Sequence, residues 1–207
     1  MRINQLYDLL APVYRRIVPR LYDLATSRAA QRLSAGAPTT VLEVGVGPGH
    51  LLATVCKKNP GARAVGVDIS RRMLKASRAT LEKEATPADL VRADATKLPF
   101  RDRAFEGVVV SFLLDLFWKE EIPDALREMQ RVLAPGGRIV VASLQFSNPV
   151  IKQAWMLTHR FIPDMFAALR PLDFKDFLEG TGLRVLQDEV IPQAAGTRLL
   201  TLVKVRG

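Results

Sequence analysis

The chain has 207 residues, 48% apolar and 25% charged, a composition that suits one soluble globular domain over 1–207 and excludes a disordered chain. No stretch approaches the roughly 20 apolar residues of a membrane span, no apolar segment follows Met1-Arg2-Ile3-Asn4-Gln5, Cys56 has no second cysteine to pair with, and two histidines make no metal-ligand cluster. A cytoplasmic protein without a metal is expected; its net charge of +9 attracts polyanions, nucleic acid or an anionic bilayer, without choosing among them.

Residues 1–35 read as one or two helices rich in Arg, Tyr and Leu, an N-terminal cap that either closes over a ligand or pads a sheet. Arg2, Arg15, Arg16, Arg20, Arg28 and Arg32 stand there against only Asp8 and Asp23, amid Leu, Ile, Val and Tyr, which suits an interfacial helix at anionic lipid. From residue 39 short β-branched runs alternate with helical patterns, as in βαβ units around a parallel sheet. Residues 39–44 predict a first strand, followed by glycines and a helix over 49–58. A second strand over 63–68 leads to a helix with Ser70 as N-cap, and 88–93 is a third strand. Residues 105–112 form a fourth, apolar enough to be buried on both faces. The helix 122–133 places Ile122, Leu126, Met129 and Leu133 at helical spacing and stops at Pro135-Gly136-Gly137, before a fifth strand over 138–143. Residues 148–171 form a second cap, of helix and loop, with Trp155, Met156, Phe161 and Phe166. Strands 182–191 and 197–205 are joined closely enough for an antiparallel pair. The expectation is an α/β fold: a doubly wound sheet of seven strands, mostly parallel, ending in an antiparallel C-terminal hairpin.

Ligands in open α/β sheets bind beyond the carboxyl ends of the strands. The first strand runs into Glu43-Val44-Gly45-Val46-Gly47-Pro48-Gly49-His50, and the second ends at Asp68, placed to accept hydrogen bonds from ribose hydroxyls. A dinucleotide site wants Gly-x-Gly-x-x-Gly, but His50 stands where the third glycine belongs, which removes the dehydrogenase alternative. An acid at Glu43 repels a pyrophosphate and suits a ligand carrying an ammonium and a sulfonium.

These segments resemble those of class I S-adenosylmethionine (SAM)-dependent methyltransferases, a Rossmann-like family. Residues 41–49 are similar to its glycine-rich first motif, and Gly66-Val67-Asp68-Ile69-Ser70 to its ribose-binding second motif. Asp94-Ala95, then Leu98-Pro99-Phe100 and Phe105, resemble the segment that contacts adenine; Arg131-Val132-Leu133-Ala134-Pro135-Gly136-Gly137 resembles the stretch before the fifth strand. The likeness runs from about residue 39 to 145. It implies SAM as cofactor and S-adenosylhomocysteine as product. It places Glu43, Gly45, Gly47, Gly49, Asp68, Ile69, Met73, Asp94, Ala95 and Ser111 at the cofactor.

Within the class the chain most resembles the ubiquinone/menaquinone-biosynthesis C-methyltransferases and the bacterial phosphatidylethanolamine N-methyltransferases. Tyr7 and Tyr14 match a Tyr-x6-Tyr pattern of the phospholipid enzymes, whose Asp after the second Tyr is Arg15 here. The quinone enzymes' residues after the fourth strand are not recognisable in Ser111-Phe112-Leu113-Leu114. The resemblance implies a small, lipophilic acceptor, a phospholipid amine or a quinol-like ring. A soluble acceptor, a nucleic acid or a non-catalytic SAM-binding role is the alternative; the Asn/Asp-Pro-Pro-Tyr/Phe motif of amino-methylating nucleic-acid enzymes is missing at residues 111–115. Sulfonium methyl transfer needs orientation and desolvation more than a covalent nucleophile. Tyr7, Tyr14 and His159 are the catalytic candidates, set beside His50 and Tyr22, with Trp155, Phe161 and Phe166 as an apolar screen.

Overall fold

The computed structural model describes residues 23–145, 173–191 and 196–205. A helix over residues 23–34 (α1) precedes β1 (Thr40–Val44), α2 (His50–Lys58), β2 (Arg63–Asp68), α3 (Arg71–Lys83), β3 (Asp89–Arg92) and β4 (Phe105–Ser111). A 3-10 turn, Leu114–Leu116, leads to α4 (Ile122–Val132) and β5 (Leu133–Leu144); a second turn, Phe174–Phe177, precedes β6 (Leu183–Ile191) and β7 (Thr197–Lys204). The strands form one sheet in the order β3-β2-β1-β4-β5-β7-β6. The first five in that order are parallel, and β7 runs antiparallel to both β5 and β6. The expected seven-stranded, mostly parallel sheet is therefore observed, and the order reverses between β1 and β4, where ligands bind in such sheets.

Strand alternation sends successive residues to opposite faces. Val41, Val109, Val140 and Leu199 pack with Ala25, Ala29, Ala30 and Leu33 of α1 and with Leu51 and Val55 of α2. Leu42, Val108, Val110, Ile139 and Val141 pack instead with Ile122, Leu126, Met129 and Val132 of α4 and with Phe174. The small residues Ala25, Ala29 and Ala30 are fully buried, so the described part of the 1–35 stretch covers the sheet as a core helix.

Arg32 leaves the basic set expected at a membrane. Its guanidinium donates to Leu199 O at 3.1 Å and Thr201 Oγ1 at 3.3 Å, and pairs with Glu189. The expected helix end at Pro135-Gly136-Gly137 and strand start at residue 138 also need correction, because α4 ends at Val132 and β5 begins at Leu133, which pairs with Phe105 before a register shift between Phe105 and Gly107. The glycine pair allows the strand to continue through this irregularity. A Cβ on Gly137 would lie 2.6 Å from Glu106 O, whereas Gly136 has open space but a φ of 77°.

Gly137→Ala should therefore cost about 3 kcal/mol, by forcing backbone apart, and Gly136→Ala about 1 kcal/mol, from the left-handed conformation alone. Chemical denaturation measures both; equal losses would mean that the Glu106 contact does not constrain the bulge.

Candidate functional site

At the carboxyl end of β1 the chain turns through Gly45, Gly47 and Gly49, with φ of 74°, 50° and 87°. The loop is tied to β2: Gly45 and Val46 N–H both donate to Val67 O at 2.8 Å. Gly45 also permits close approach, since a Cβ there would meet Leu113 Cδ2 at 2.8 Å. Asp68, half-buried at the end of β2, joins three pieces of the site. Its Oδ2 accepts Gly47 N–H at 2.9 Å, its Oδ1 accepts Ser70 N–H at 2.8 Å, and its carbonyl accepts Ala93 N–H at 3.2 Å. These two backbone bonds orient the carboxylate at the rim of the sheet.

Ser70 caps α3 as expected, accepting Met73 N–H at 3.3 Å. Ile69, between the two, is 42% exposed, and Arg92 Nε holds its carbonyl at 3.0 Å; Met73 is buried. Asp94 is exposed and caps its own turn, accepting Thr96 N–H at 2.9 Å and Thr96 Oγ1–H at 2.8 Å; Ala95 beside it is buried. Ser111 ends β4, and Phe112 follows at φ 53° with its N–H on Ala142 O at 2.8 Å. The structure thus sets Glu43, Asp68 and Ser111 in the last residues of β1, β2 and β4, and the three glycines, Ile69, Asp94 and Ala95 in the turns after β1, β2 and β3, all at the carboxyl ends of adjacent strands.

Glu43 lies within β1 and is 2% exposed. Burial pushes its carboxyl well above the usual range, the Asp68 charge adds to this, and a hydrogen bond from Leu52 N–H opposes it. Its Oε2 has no hydrogen-bond partner among the described residues. His50, at the start of α2, is half-buried with Nε2 likewise unpartnered. Burial lowers its pKa, against the charges of Asp23 and Glu84. Tyr7, Tyr14, Tyr22, His159, Trp155, Phe161 and Phe166 lie outside the described residues.

Sequence reasoning missed Asp115. It sits in the 3-10 turn after β4, is 1% exposed, and both its oxygens lie 3.3 Å from Leu144 N at the end of β5. Burial raises its pKa well above the ordinary value, and the Leu144 N–H offsets this in part. The available signal was a lone acid inside the apolar run Phe112-Leu113-Leu114-Asp115-Leu116-Phe117. A separate hollow of about 520 Å³, lined by residues including Leu81, Thr86, Pro87 and Leu90, lies where α3 ends and β3 begins, at the other end of the sheet from the glycine loop.

Residues 41–137 match the methyltransferase-domain family. A demethylmenaquinone methyltransferase of Thermus thermophilus is 38% identical over 155 residues, covering 74% of this chain and 66% of the relative. A ubiquinone/menaquinone biosynthesis C-methyltransferase of Dinoroseobacter shibae is 38% identical over 149 residues, covering 70% and 56%. The matches thus span between about half and two thirds of these relatives. Among solved structures, a SAM-dependent methyltransferase of Methanosarcina mazei superposes with TM-score 0.68 at 15% identity over 80% of this chain and 92% of that one. The 4+2 cyclase SpnF superposes with TM-score 0.78 at 19% identity over 100% and 97%.

Asp115 carries a pH signature. The folded chain retains a proton that the unfolded chain releases above about pH 4, so the folded state binds more protons and its stability falls as pH rises toward the raised folded pKa. Asp115→Asn is always neutral and keeps a carbonyl for Leu144 N–H. Its unfolding free energy should gain on the wild type steadily from acid to neutral pH; a pH-independent difference would show that Asp115 titrates alike in both states.

Proposed function

From the premise that the chain carries a class I SAM-dependent methyltransferase domain, we propose that it transfers the methyl group of SAM to a lipophilic, quinol-like acceptor. The observation that carries this is the acid-flanked glycine loop: Asp68 fixed by Gly47 and Ser70 N–H, with buried Glu43 at the end of β1. Asp68, oriented by backbone at the end of β2, stands where ribose hydroxyls would be held. Glu43, whose buried Oε2 has no partner among the described residues, suits the cationic amino-acid end, because a nearby cation favours the carboxylate that burial disfavours. A pyrophosphate would be repelled there. Ile69 offers an apolar surface to the adenine, Asp94 and Ala95 border its edge, and Ser111 closes the β4 side. When bound, SAM supplies an electrophilic methyl group whose leaving thioether is neutral; the chain's own work is to orient and dehydrate the reactants.

The names of the two curated relatives favour a quinol ring over a phospholipid amine or a nucleic acid. Tyr7, Tyr14 and His159 are proposed to hold the acceptor and move its proton. The chain is read as one working unit, with 1–35 and 148–171 flanking the acceptor side. A cytoplasmic protein meeting a lipophilic acceptor needs the bilayer surface, and peripheral contact is assigned to Arg28 and the basic residues before it. No helix among the described residues is long and apolar enough to cross a membrane.

Calorimetry should give micromolar binding of SAM and S-adenosylhomocysteine and none of NAD. Asp68→Ala should weaken binding roughly ten- to a hundredfold, the worth of hydrogen bonds to a charged acceptor. With labelled SAM and demethylated quinols, mass analysis should find one added methyl group. Unchanged SAM affinity in Asp68→Ala would remove the ribose assignment, and methylation of phospholipid alone would replace the acceptor.

Anionic liposomes should co-sediment the protein at low ionic strength and release it as salt rises. Binding that is indifferent to lipid charge would contradict the basic contact.

A further inference from the structure

We propose that Arg131, held by Glu128, is a positioning residue that fixes the loop bearing Asp94 and Ala95 and thereby sets the selectivity of the cofactor site for an adenine base; the inference rests on the SAM-binding reading above. Residues 93–104, between β3 and β4, contain no helix or strand, so nothing regular fixes their backbone. Arg131, in the last turn of α4, supplies what a neighbouring strand would. Nη1 donates to Phe100 O and to Asp102 Oδ1, both at 2.8 Å. Nη2 donates to Leu98 O at 3.0 Å and to Glu128 Oε2 at 2.8 Å, while Nε donates to Glu128 Oε1 at 2.7 Å. All five N–H groups of the guanidinium are thus engaged, two of them on loop carbonyls.

Glu128 completes the grip, because its Oε2 also accepts Leu98 N–H at 2.8 Å. Leu98 is thereby held at both its N–H and its C=O by the two side chains. The carbonyl of Arg131 in turn accepts Arg103 N–H at 3.0 Å, which fixes the far end of the loop. Between Asp94 and Leu98 little freedom remains. Thr96 N–H and Oγ1–H are bound to Asp94 Oδ1, Lys97 N–H is on Asp94 O at 3.0 Å, and the Ala95 and Leu98 side chains are buried in the core shared with α4. The position of Asp94 and Ala95 is therefore referred, through three residues, to the rigid helix α4.

An adenine is told from other purines by its edge: an exocyclic N–H donor beside a ring acceptor. Reading that edge requires groups set to within a fraction of an ångström. A lysine at 131 keeps the charge but cannot span two carbonyls and two carboxylates in one plane. Loosening this grip should blunt the discrimination of the base more than it harms the rest of the ligand's contacts, which are made from β1 and β2.

The experiment is calorimetric titration of the full chain with S-adenosylhomocysteine and with S-inosylhomocysteine, in which an oxo group replaces the exocyclic amine. Wild type, Arg131→Lys, the milder Glu128→Gln, and the control Arg127→Ala are compared at a temperature where circular dichroism shows each folded. Among the described residues Arg127 pairs with Asp124, on the exposed side of α4. Arg131→Lys should lose roughly tenfold or more in affinity for the adenine ligand, the worth of about one charged hydrogen bond, with a smaller loss for the inosine ligand, so that the affinity ratio falls. Glu128→Gln should shift the ratio the same way, and Arg127→Ala should leave it unchanged. A ratio unchanged in Arg131→Lys and Glu128→Gln, with only the melting temperature lowered, would overturn the proposal and leave Arg131 as a stabilising contact. So would an equal shift in Arg127→Ala. Failure of the wild type to bind S-adenosylhomocysteine at all would instead bring down the SAM reading itself, and the inference with it.

Discussion

The cofactor half of the site depends on one carboxylate being held from two sides. Asp68 joins the glycine loop, through Gly47 N–H, to the start of α3, through Ser70 N–H. Both donors are backbone groups that a turn or a helix start leaves without an internal partner, so the bonds satisfy them and aim the acid at once. The same residue's carbonyl takes Ala93 N–H and brings the end of β3 alongside. Three strand ends are thereby referred to one residue, and the ligand-facing rim keeps its shape even though most of it is loop.

Two further acids on or beside the central strands are buried: Glu43 at 2% and Asp115 at 1% exposure. Burying a carboxylate is costly unless it is paired or protonated. Neither has an ion-pair partner among the described residues, and both are pushed toward the neutral form by burial. Their neighbours differ. Glu43, near the end of β1, feels the charge of Asp68 at the end of the neighbouring β2 and keeps an oxygen unbonded among the described residues, so a cation would relieve it. Asp115 accepts Leu144 N–H as well as its own backbone N–H, and no neighbouring charge among the described residues shifts it, which makes it a clasp between the turn after β4 and the end of β5. The arrangement favours a cationic ligand over β1 and an uncharged environment over β4 and β5.

Much of this was legible in the sequence because it is local. The strand over 63–68 and the Ser70 cap are found where the residues place them, since a β-branched run, an acid and a capping hydroxyl act over a few positions. The extension of β5 back to Leu133 was not legible. It depends on pairing with Phe105, far away in sequence, across a bulge that Gly137 tolerates. The grip of Arg131 was read only as part of a motif, because which carbonyls a guanidinium reaches is decided by where a loop lands on a helix. Arg32 was misread for the same reason: within its own helix it is a basic residue among apolar ones, and only the sheet supplies Glu189 and Leu199 O. That correction bears on the net charge as well. Arg32, Arg131 and Arg198 are engaged in networks with acids, so the excess that reaches a partner must come from other cations.

The fold alone does not choose the reaction, as a cyclase sharing it at TM-score 0.78 makes plain. Chemistry is decided by what the ligand-facing rim carries, and on its β4 side the rim turns at Phe112. A non-glycine residue at φ 53° costs about 1–2 kcal/mol, and the cost is held by Phe112 N–H on Ala142 O and by burial of the ring against the α1 face. That one twist separates two directions of the chain. Leu113 turns to fill the space over Gly45, and Asp115 turns inward to Leu144. A strained residue persists only where its surroundings over-determine it. Here the surroundings are the end of β5, whose Ala142 O takes Phe112 N–H, and the α1 face against which the ring is buried.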